Sequence, residues 1–452
     1  MSLLALHLAT LLGGALAILL SVDILRTRRP PAATLGWLVF MLALPWLAVP
    51  LYLTLGTRKL RAYAGEKTLI FPVNDGLAEP SDDLGKVLAS AGIPPALPGN
   101  RVSFHPDGLG ALEALLALIH DSRTSLDVCM FLFADDKAGR RIMNELEKAA
   151  ARGVSVRILI DGVGSFLLSK QRQRELTDAG IAVARFIPVL HRPFRGRTNL
   201  RNHRKFAIAD GSRVWLGGRN LADEYFAQDD DWIDLSFDIE GPVVERTSQV
   251  FAADWRFATG AATAIPAAVP AMGSSSIQVI PSGPDMPGEP LHDVLLTALY
   301  GAKTRILAVT PYFVPDESLQ RALCLAALRG VRVQLILPRQ SNHRLADFTR
   351  SRYLRELSHA GAQITLVPGS MVHAKALVID ERLAFAGSAN LDLRSLFLNF
   401  ELVCLFSSLG DIRTIAAWWE QLNQQAATYE PQPVGTLRQV FEGLALLMAF
   451  QL

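Results

Sequence analysis

The chain has 452 residues, half of them apolar and 19% charged, with 45 basic against 43 acidic side chains for a net charge of +2. An average soluble protein is about 25% charged, so a disordered polyelectrolyte and a strongly basic polyanion binder are both excluded, and any anionic partner must be met by local clusters. At about 100 to 200 residues per domain, the length allows two or three folding units, each able to bury its own core.

The apolar surplus is concentrated at the start. Residues 3–22 carry no charge apart from a possible one at His7, and a helix of that length rises about 30 Å, the thickness of a bilayer's hydrocarbon core. A second uncharged stretch, 34–55, holds Trp37, Trp46 and Tyr52 as interfacial anchors and Pro45 and Pro50 as points of kinking. With the basic turn Arg26, Arg28, Arg29 between them, the two stretches predict a transmembrane helix hairpin within residues 1–60. A cleaved leader would need basic residues before its apolar run and no second span directly after it, and neither condition is met. Arg58, Lys59, Arg61 and Lys67 on the far flank tilt the remainder toward the cytoplasmic side, though only slightly.

Residues 61–101 read as a connector. A pattern then occurs twice. In the first half, 102–260, a helix at 109–120 is followed by a strand at 125–133, a helix at 140–151 and a strand at 154–160. In the second half, 277–430, the same order falls at 291–300, 306–313, 319–328 and 331–337. Alternation of this kind predicts α/β layers with buried strands, duplicated within one chain. The Ala-, Pro-, Gly- and Ser-rich segment 261–276 reads as the linker between the halves. Cys129, Cys324 and Cys404 lie in apolar surroundings without paired spacing and read as small buried side chains. Residues 431–452 read as an amphipathic C-terminal helix that either caps the globular part or lies in a membrane interface.

The chemistry is carried by Asn202-His203-Arg204-Lys205 with Asp210 and Asn220, and by Val372-His373-Ala374-Lys375 with Asp380 and Asn390. In both copies His, Lys, Asp and Asn stand at offsets of zero, two, seven and seventeen. Residues two apart on a strand share a face, so each copy presents an imidazole beside an ammonium. If the halves pack about a pseudo-two-fold axis, one pocket receives two His, two Lys and two Asn. Lys205, Lys375, Asn220 and Asn390 would then hold a phosphate's oxygens, one neutral histidine would attack phosphorus, and the other would protonate the leaving alkoxide. The catalytic set is read as His203, Lys205, Asp210, His373, Lys375 and Asp380. Of these, Asp210 and Asp380 fall at strand ends beside turns, where a loop-orienting role is favoured. Zinc is disfavoured, because lysines would sit beside the cation and no His or Cys pair completes a ligand set, so neither metal nor cofactor is expected.

These residues are similar to the duplicated H-x-K-x4-D motif of the phospholipase D superfamily. More closely, the chain resembles bacterial cardiolipin synthases of that type over nearly its whole length. Further carriers are Ile239-Glu240-Gly241-Pro242, Thr310-Pro311-Tyr312-Phe313-Val314-Pro315-Asp316, Gly387-Ser388-Ala389-Asn390-Leu391-Asp392, Arg394-Ser395 and Asn399-Phe400-Glu401. The resemblance implies two phospholipase D-type α/β/α halves around one pseudo-two-fold active site, preceded by the transmembrane hairpin. It also implies His203 as nucleophile, His373 as general acid and base, and Glu240 and Glu401 as the carboxylates orienting the imidazoles. The implied activity joins two phosphatidylglycerol molecules into cardiolipin plus glycerol through a phosphatidyl-histidine. The partners are membrane phospholipids and the bilayer of the bacterial inner membrane, with no nucleic acid and no oligomeric state implied. A phospholipase D hydrolase, another phosphatidyltransferase, a nuclease and a silent membrane-anchored lipid binder are the alternatives. Two departures stand out: Trp232-Ile233-Asp234 replaces the family's common Trp-Arg-Asp run, and Gly218 stands where the second copy has Ser388.

Overall fold

The computed structural model describes residues 3–26, 31–56, 70–71, 82–166, 168–188, 197–226, 232–267 and 269–446. The basic flanks Arg28, Arg29, Arg58, Lys59, Arg61 and Lys67 lie outside these, as do Leu447 and Met448. The chain forms two compact units, Met1–Leu60 with Ile187–Leu200, and Arg61–Phe186 with Arg201–Leu452.

The first unit contains α1 (Leu3–Arg26), α2 (Pro31–Ala43) and α3 (Pro45–Leu55). The hairpin expectation needs correction here, because the second apolar stretch is broken at Leu44. Pro45 has no N–H to continue the ladder and instead starts a new helix. The two pieces, of 13 and 11 residues, rise about 20 and 16 Å. Among the described residues no helix is long and apolar enough to cross a membrane. The three helices pack around Ile24, Met41, Ala48, Val49 and Tyr52, and the Tyr52 hydroxyl donates to Asp23 Oδ2 at 2.7 Å. The outward side chains Ile18, Leu19, Leu35, Leu42 and Trp46 are also apolar and exposed.

The second unit is built on one long sheet. Its first half supplies β1 (Leu97–His105), β2 (Ser125–Met130), β3 (Ser155–Asp161), β4 (Ala182–Phe186), β5 (Phe206–Ala209), β6 (Arg213–Gly217) and β7 (Ser236–Glu240). The second half supplies β8 (Ser275–Ser282), β9 (Arg305–Val309), β10 (Phe313–Val314), β11 (Arg332–Pro338), β12 (Gln363–Val367), β13 (Ala376–Ile379), β14 (Leu383–Gly387), β15 (Leu391–Asp392), β16 (Glu401–Phe406) and β17 (Ala427–Thr428). From the middle outward, one half runs β1-β7-β6-β5-β2-β3-β4 and the other β8-β16-β14-β13-β9-β11-β12-β17. The halves meet where β1 and β8 pair antiparallel, so the same strand order leaves the seam in both directions. A separate parallel pair joins β10 to β15.

Helices cover both halves: α4 (Asp83–Ser90), α5 (Gly108–Asp121), α6 (Lys137–Ala151), α7 (Lys170–Asp178) and α8 (Val244–Thr259), then α9 (Pro290–Gly301), α10 (Glu317–Leu328), α11 (Arg344–His359), α12 (Leu393–Phe397), α13 (Leu409–Gln424) and α14 (Thr436–Leu446). The segment read as a connector therefore holds α4 and the start of β1. Their starts are set by short polar caps: Asp107 accepts from Gly110 N–H, Asp136 from Gly139 N–H, and Asp316 from Ser318 and Leu319 N–H. Strands β5, β13 and β16 are buried along their whole length. Sheet positions covered on both faces by helices require such unbroken apolar runs. The first half's core gathers residues such as Leu115, Ile142, Ile158 and Trp215 between sheet and helices. Trp215 and Trp419 place their indole N–H groups on Ala111 O and Ala308 O, so neither donor is left unpaired.

Candidate active site

Strands β5 and β13 occupy equivalent places in the two halves, and the His-x-Lys segments immediately precede them. Each segment is tied to the opposite half: His203 N–H donates to Phe400 O at 2.9 Å, and His373 N–H to Ile233 O at 2.7 Å. The carboxylates cross in the same way. His203 Nδ1 lies 2.9 and 3.0 Å from the Glu401 oxygens, and His373 Nδ1 lies 2.7 Å from Asp234 Oδ2. An ionised carboxylate only accepts, so each Nδ1 carries the proton and each Nε2 keeps its lone pair.

Glu401 therefore stands where the sequence leads one to expect it, but Glu240 does not. Glu240 ends β7, about 20 Å of strand beyond Asp234, and binds Arg101 near the surface. Asp234 has its role, and the register makes it Glu401's counterpart: Gly218 N–H donates to Leu235 O and Ser388 N–H to Leu402 O. Each acid directly precedes the matching leucine. The available signal was that shared acid-Leu pair at the head of an apolar strand. It was concealed because Asp234 follows Asn220 by 14 residues and Glu401 follows Asn390 by 11. The Gly218/Ser388 difference also has a cause. A Cβ at Gly218 would run into the Asp234 carboxylate, whereas the Ser388 hydroxyl donates to Glu401 Oε2.

The four basic side chains are almost closed off from solvent: His203 is 9% exposed, His373 4%, Lys205 1% and Lys375 4%. Electrostatic interactions couple them across the halves, Lys205 with His373 and Lys375 with His203. Burial pushes the His203 imidazole down to about 4 against the opposing pull of Glu401. It pushes His373 down to about 3, helped by Lys375. Burial also lowers Lys205 to about 7 and Lys375 to about 8 despite the nearby carboxylates. Asp234 is likewise buried, but Lys375 and His373 outweigh that and hold it well below the usual carboxylate range. Glu401 is lowered in the same manner by His203 and Lys205.

The two half-sites differ in their lysines. Each lysine donates to the carbonyl of the histidine two residues before it, Lys205 Nζ to His203 O at 2.7 Å and Lys375 Nζ to His373 O, but only Lys375 also approaches the ring. Lys375 Nζ is drawn onto the His373 ring, 2.6 Å from Nδ1 and 3.1 Å from Nε2. Among the described residues, His203 Nε2 accepts no hydrogen bond. Aromatic rings wall the site: Phe131 lies edge-on to His203, while Tyr225 and Trp232 lie against His373. Asn220 Nδ2 donates to the Tyr225 hydroxyl at 2.7 Å, and both Asn220 Oδ1 and Asn390 Oδ1 are buried without a partner. Arg204, between His203 and Lys205, faces away into a buried ion pair with Asp254.

Asp210 and Asp380 do not join this group. Their carboxylates accept from the N–H groups of Arg123, Thr124 and Ser125, and of Lys303, Thr304 and Arg305, together with the Thr124 and Thr304 hydroxyls. Both lie at the far ends of β5 and β13, in left-handed backbone with φ of 52° and 55°. They clamp the loops entering β2 and β9, so their inclusion in a catalytic set is corrected to a structural role.

The family model described as "Cardiolipin synthase, PLD-like domain" matches residues 115–255 and 295–423, and one described as "Phospholipase_D-nuclease N-terminal" matches 15–56. Cardiolipin synthase A of Pectobacterium carotovorum is 31% identical over 418 residues, covering 86% of each chain. Its counterpart in Serratia proteamaculans gives the same identity and coverage. Among solved structures, phosphatidylserine synthase of Haemophilus influenzae superposes with a TM-score of 0.63 at 17% identity, over 82% of this chain and all of that one. Polyphosphate kinase of Porphyromonas gingivalis gives 0.51 at 15% identity, over 76% of this chain and 53% of that one.

Proposed function

The chain belongs to the cardiolipin synthase family with its phospholipase D-like domain and is a phosphatidyltransferase; from that premise we propose how its own residues make cardiolipin from two phosphatidylglycerol molecules. His203 Nε2 attacks phosphorus, and the bond from phosphorus to the headgroup glycerol oxygen breaks. His373, protonated at Nε2 once the phosphate is bound, gives that oxygen the proton, and glycerol leaves. The headgroup hydroxyl of a second lipid then attacks the phosphatidyl-histidine, returning a proton to His373 as the bond to His203 breaks. One phosphodiester replaces another, so no nucleotide is consumed.

The observation that carries this reading is the unequal engagement of two otherwise matched histidines. His203 Nε2 is free to attack, whereas Lys375 lies against His373. A phosphate oxygen would draw Lys375 off the ring and supply the negative charge that raises His373 toward its protonated form. Lys205 and Lys375 would hold the non-bridging oxygens through charge-assisted bonds. Asn220, turned about its last torsion, accepts from Tyr225 and points its NH2 at phosphate, which removes the orphaned Oδ1. The closed aromatic walls keep water from the intermediate and so favour transfer over hydrolysis. The exposed apolar exterior of α1–α3 supports a membrane-embedded first unit in the bacterial inner membrane, and the basic residues at 58, 59, 61 and 67 of the sequence weigh slightly for a cytoplasmic catalytic part.

Incubation of the reconstituted protein with headgroup-labelled phosphatidylglycerol, without nucleotide, should yield cardiolipin and free labelled glycerol. Phosphatidic acid with glycerol and no cardiolipin would overturn the synthase reading. His203→Ala and His373→Ala should each lose detectable turnover while keeping the native circular dichroism spectrum. After alkaline denaturation, which a phosphorus–nitrogen bond survives, wild type should retain a labelled phosphatidyl adduct and His203→Ala should not, which checks the nucleophile.

A further inference from the structure

Helix α14 is mounted with its polar side inward. Its buried residue is Glu442, held by Arg355 of α11 and by Arg438 one turn back. Leu437, Val440, Phe441 and Leu444 are instead 77%, 54%, 58% and 54% exposed. An amphipathic helix in a water-soluble setting turns its apolar stripe to the core. Here the Arg355 pair fixes the opposite orientation, and rolling the stripe inward would take Glu442 away from Arg355.

Leu345 and Phe348 of α11 continue the apolar surface, forming an open groove with Phe441 and Leu444. Arg344, Arg352 and Arg438 are exposed on the same two helices. Beyond Leu446 the sequence runs Leu-Met-Ala-Phe-Gln-Leu, so the apolar character continues to Leu452. Leu446 itself packs with Tyr353 and Phe397 against Val314 and Leu393. That cluster joins α14 to the β10–β15 pair, and β15 directly follows Asn390.

We propose that the Leu437, Val440, Phe441, Leu444 face of α14 docks in the interface of an anionic phospholipid bilayer, with the flanking arginines on the headgroups. The occupant is a lipid surface because an outward apolar stripe rimmed by arginine, with an uncharged apolar tail following, matches an interfacial helix in both hydrophobicity and charge. The proposal concerns where the second unit sits on lipid and does not rest on turnover.

The test uses the full chain reconstituted in vesicles of phosphatidylglycerol and phosphatidylcholine. Val440→Cys carries an environment-sensitive label, and Gln439→Cys serves as the control, since Cys129, Cys324 and Cys404 are all buried. Expected is quenching of the residue 440 label by nitroxide-bearing lipid and its protection from aqueous iodide, with the reverse at 439. Iodide access at 440 equal to that at 439 overturns the proposal. So does a blue-shifted 440 label that nitroxide lipid leaves unquenched and that shifts back in nanodiscs holding one copy, since that outcome assigns the face to a second chain. As an independent readout, replacing all four residues by Ser should raise KM on the vesicle surface about tenfold with kcat held within about twofold. An unchanged KM in that variant also overturns it.

Discussion

Asp234 and Glu240 are separated by a single short strand, yet their expected effects on rate differ by orders of magnitude. Asp234 fixes the His373 tautomer, so Asp234→Asn should lower kcat by about 10²- to 10⁴-fold, as loss of a histidine-orienting carboxylate does elsewhere. Glu401→Gln should act similarly through His203. Glu240→Gln removes only a bond to Arg101 and should leave kcat within about twofold in the same steady-state assay. The lysines set the pH profile. With burial bringing Lys205 and Lys375 to about 7 and 8, their charge is lost as pH rises, so kcat/KM of the free enzyme should decline above about pH 7–8. His203 near 4 must be neutral to attack, so the acid limb should fall well below the pH of an ordinary histidine. A profile centred above pH 9 would contradict both assignments. The His-x-Lys pairs and their Asn partners were legible from repeated spacing alone. Asp234 was not, because the three extra residues before it broke the spacing and because its partner lies in the other half.

At the level of elements, β5 and β13 separate chemistry at one end from anchoring at the other. Asp210 and Asp380 stitch the strand ends to the loops before β2 and β9, and each gathers several N–H donors on one carboxylate. Asp210→Ala or Asp380→Ala should therefore destabilise the fold by about 1–3 kcal/mol, seen as a lower thermal midpoint, while the protein that remains folded keeps near-native kcat. Burial pushes both carboxyls up, but the N–H and hydroxyl donors outweigh it and lower them below 3.8. Their contribution is accordingly complete above that pH and is lost as pH falls through the lowered value. Helix and strand order in both halves was readable from apolar periodicity, since buried β5 and β13 are continuous apolar runs. The break at Leu44 was legible only in part, because Pro45 reads as a kink within the uncharged stretch 34–55 and the sequence does not show that its missing N–H divides the stretch into two helices.

Across the whole second unit, the halves are joined by the β1–β8 seam and, at the site, by the crossed histidine–carboxylate pairs and the backbone bonds beside them. The segment 261–267 carries no regular element and takes part in neither. A protease site inserted there should permit cutting with most of the activity retained, and a step that then separates the fragments should abolish it. Activity in either isolated fragment would show that one half-site suffices. The pseudo-two-fold plan was visible as an internal duplication, whereas which half serves which histidine is a three-dimensional fact that no one-dimensional spacing encodes. A homodimer of identical halves would have to accept every substitution twice, at both ends of its site. With both copies in one gene, Gly218 could give way to a short aspartate while Ser388 stayed to steady a longer glutamate, and Lys375 could take up a position that Lys205 does not. Duplication within a chain thus gives selection two separately editable histidines, one able to specialise in attacking phosphorus and the other in handling the proton.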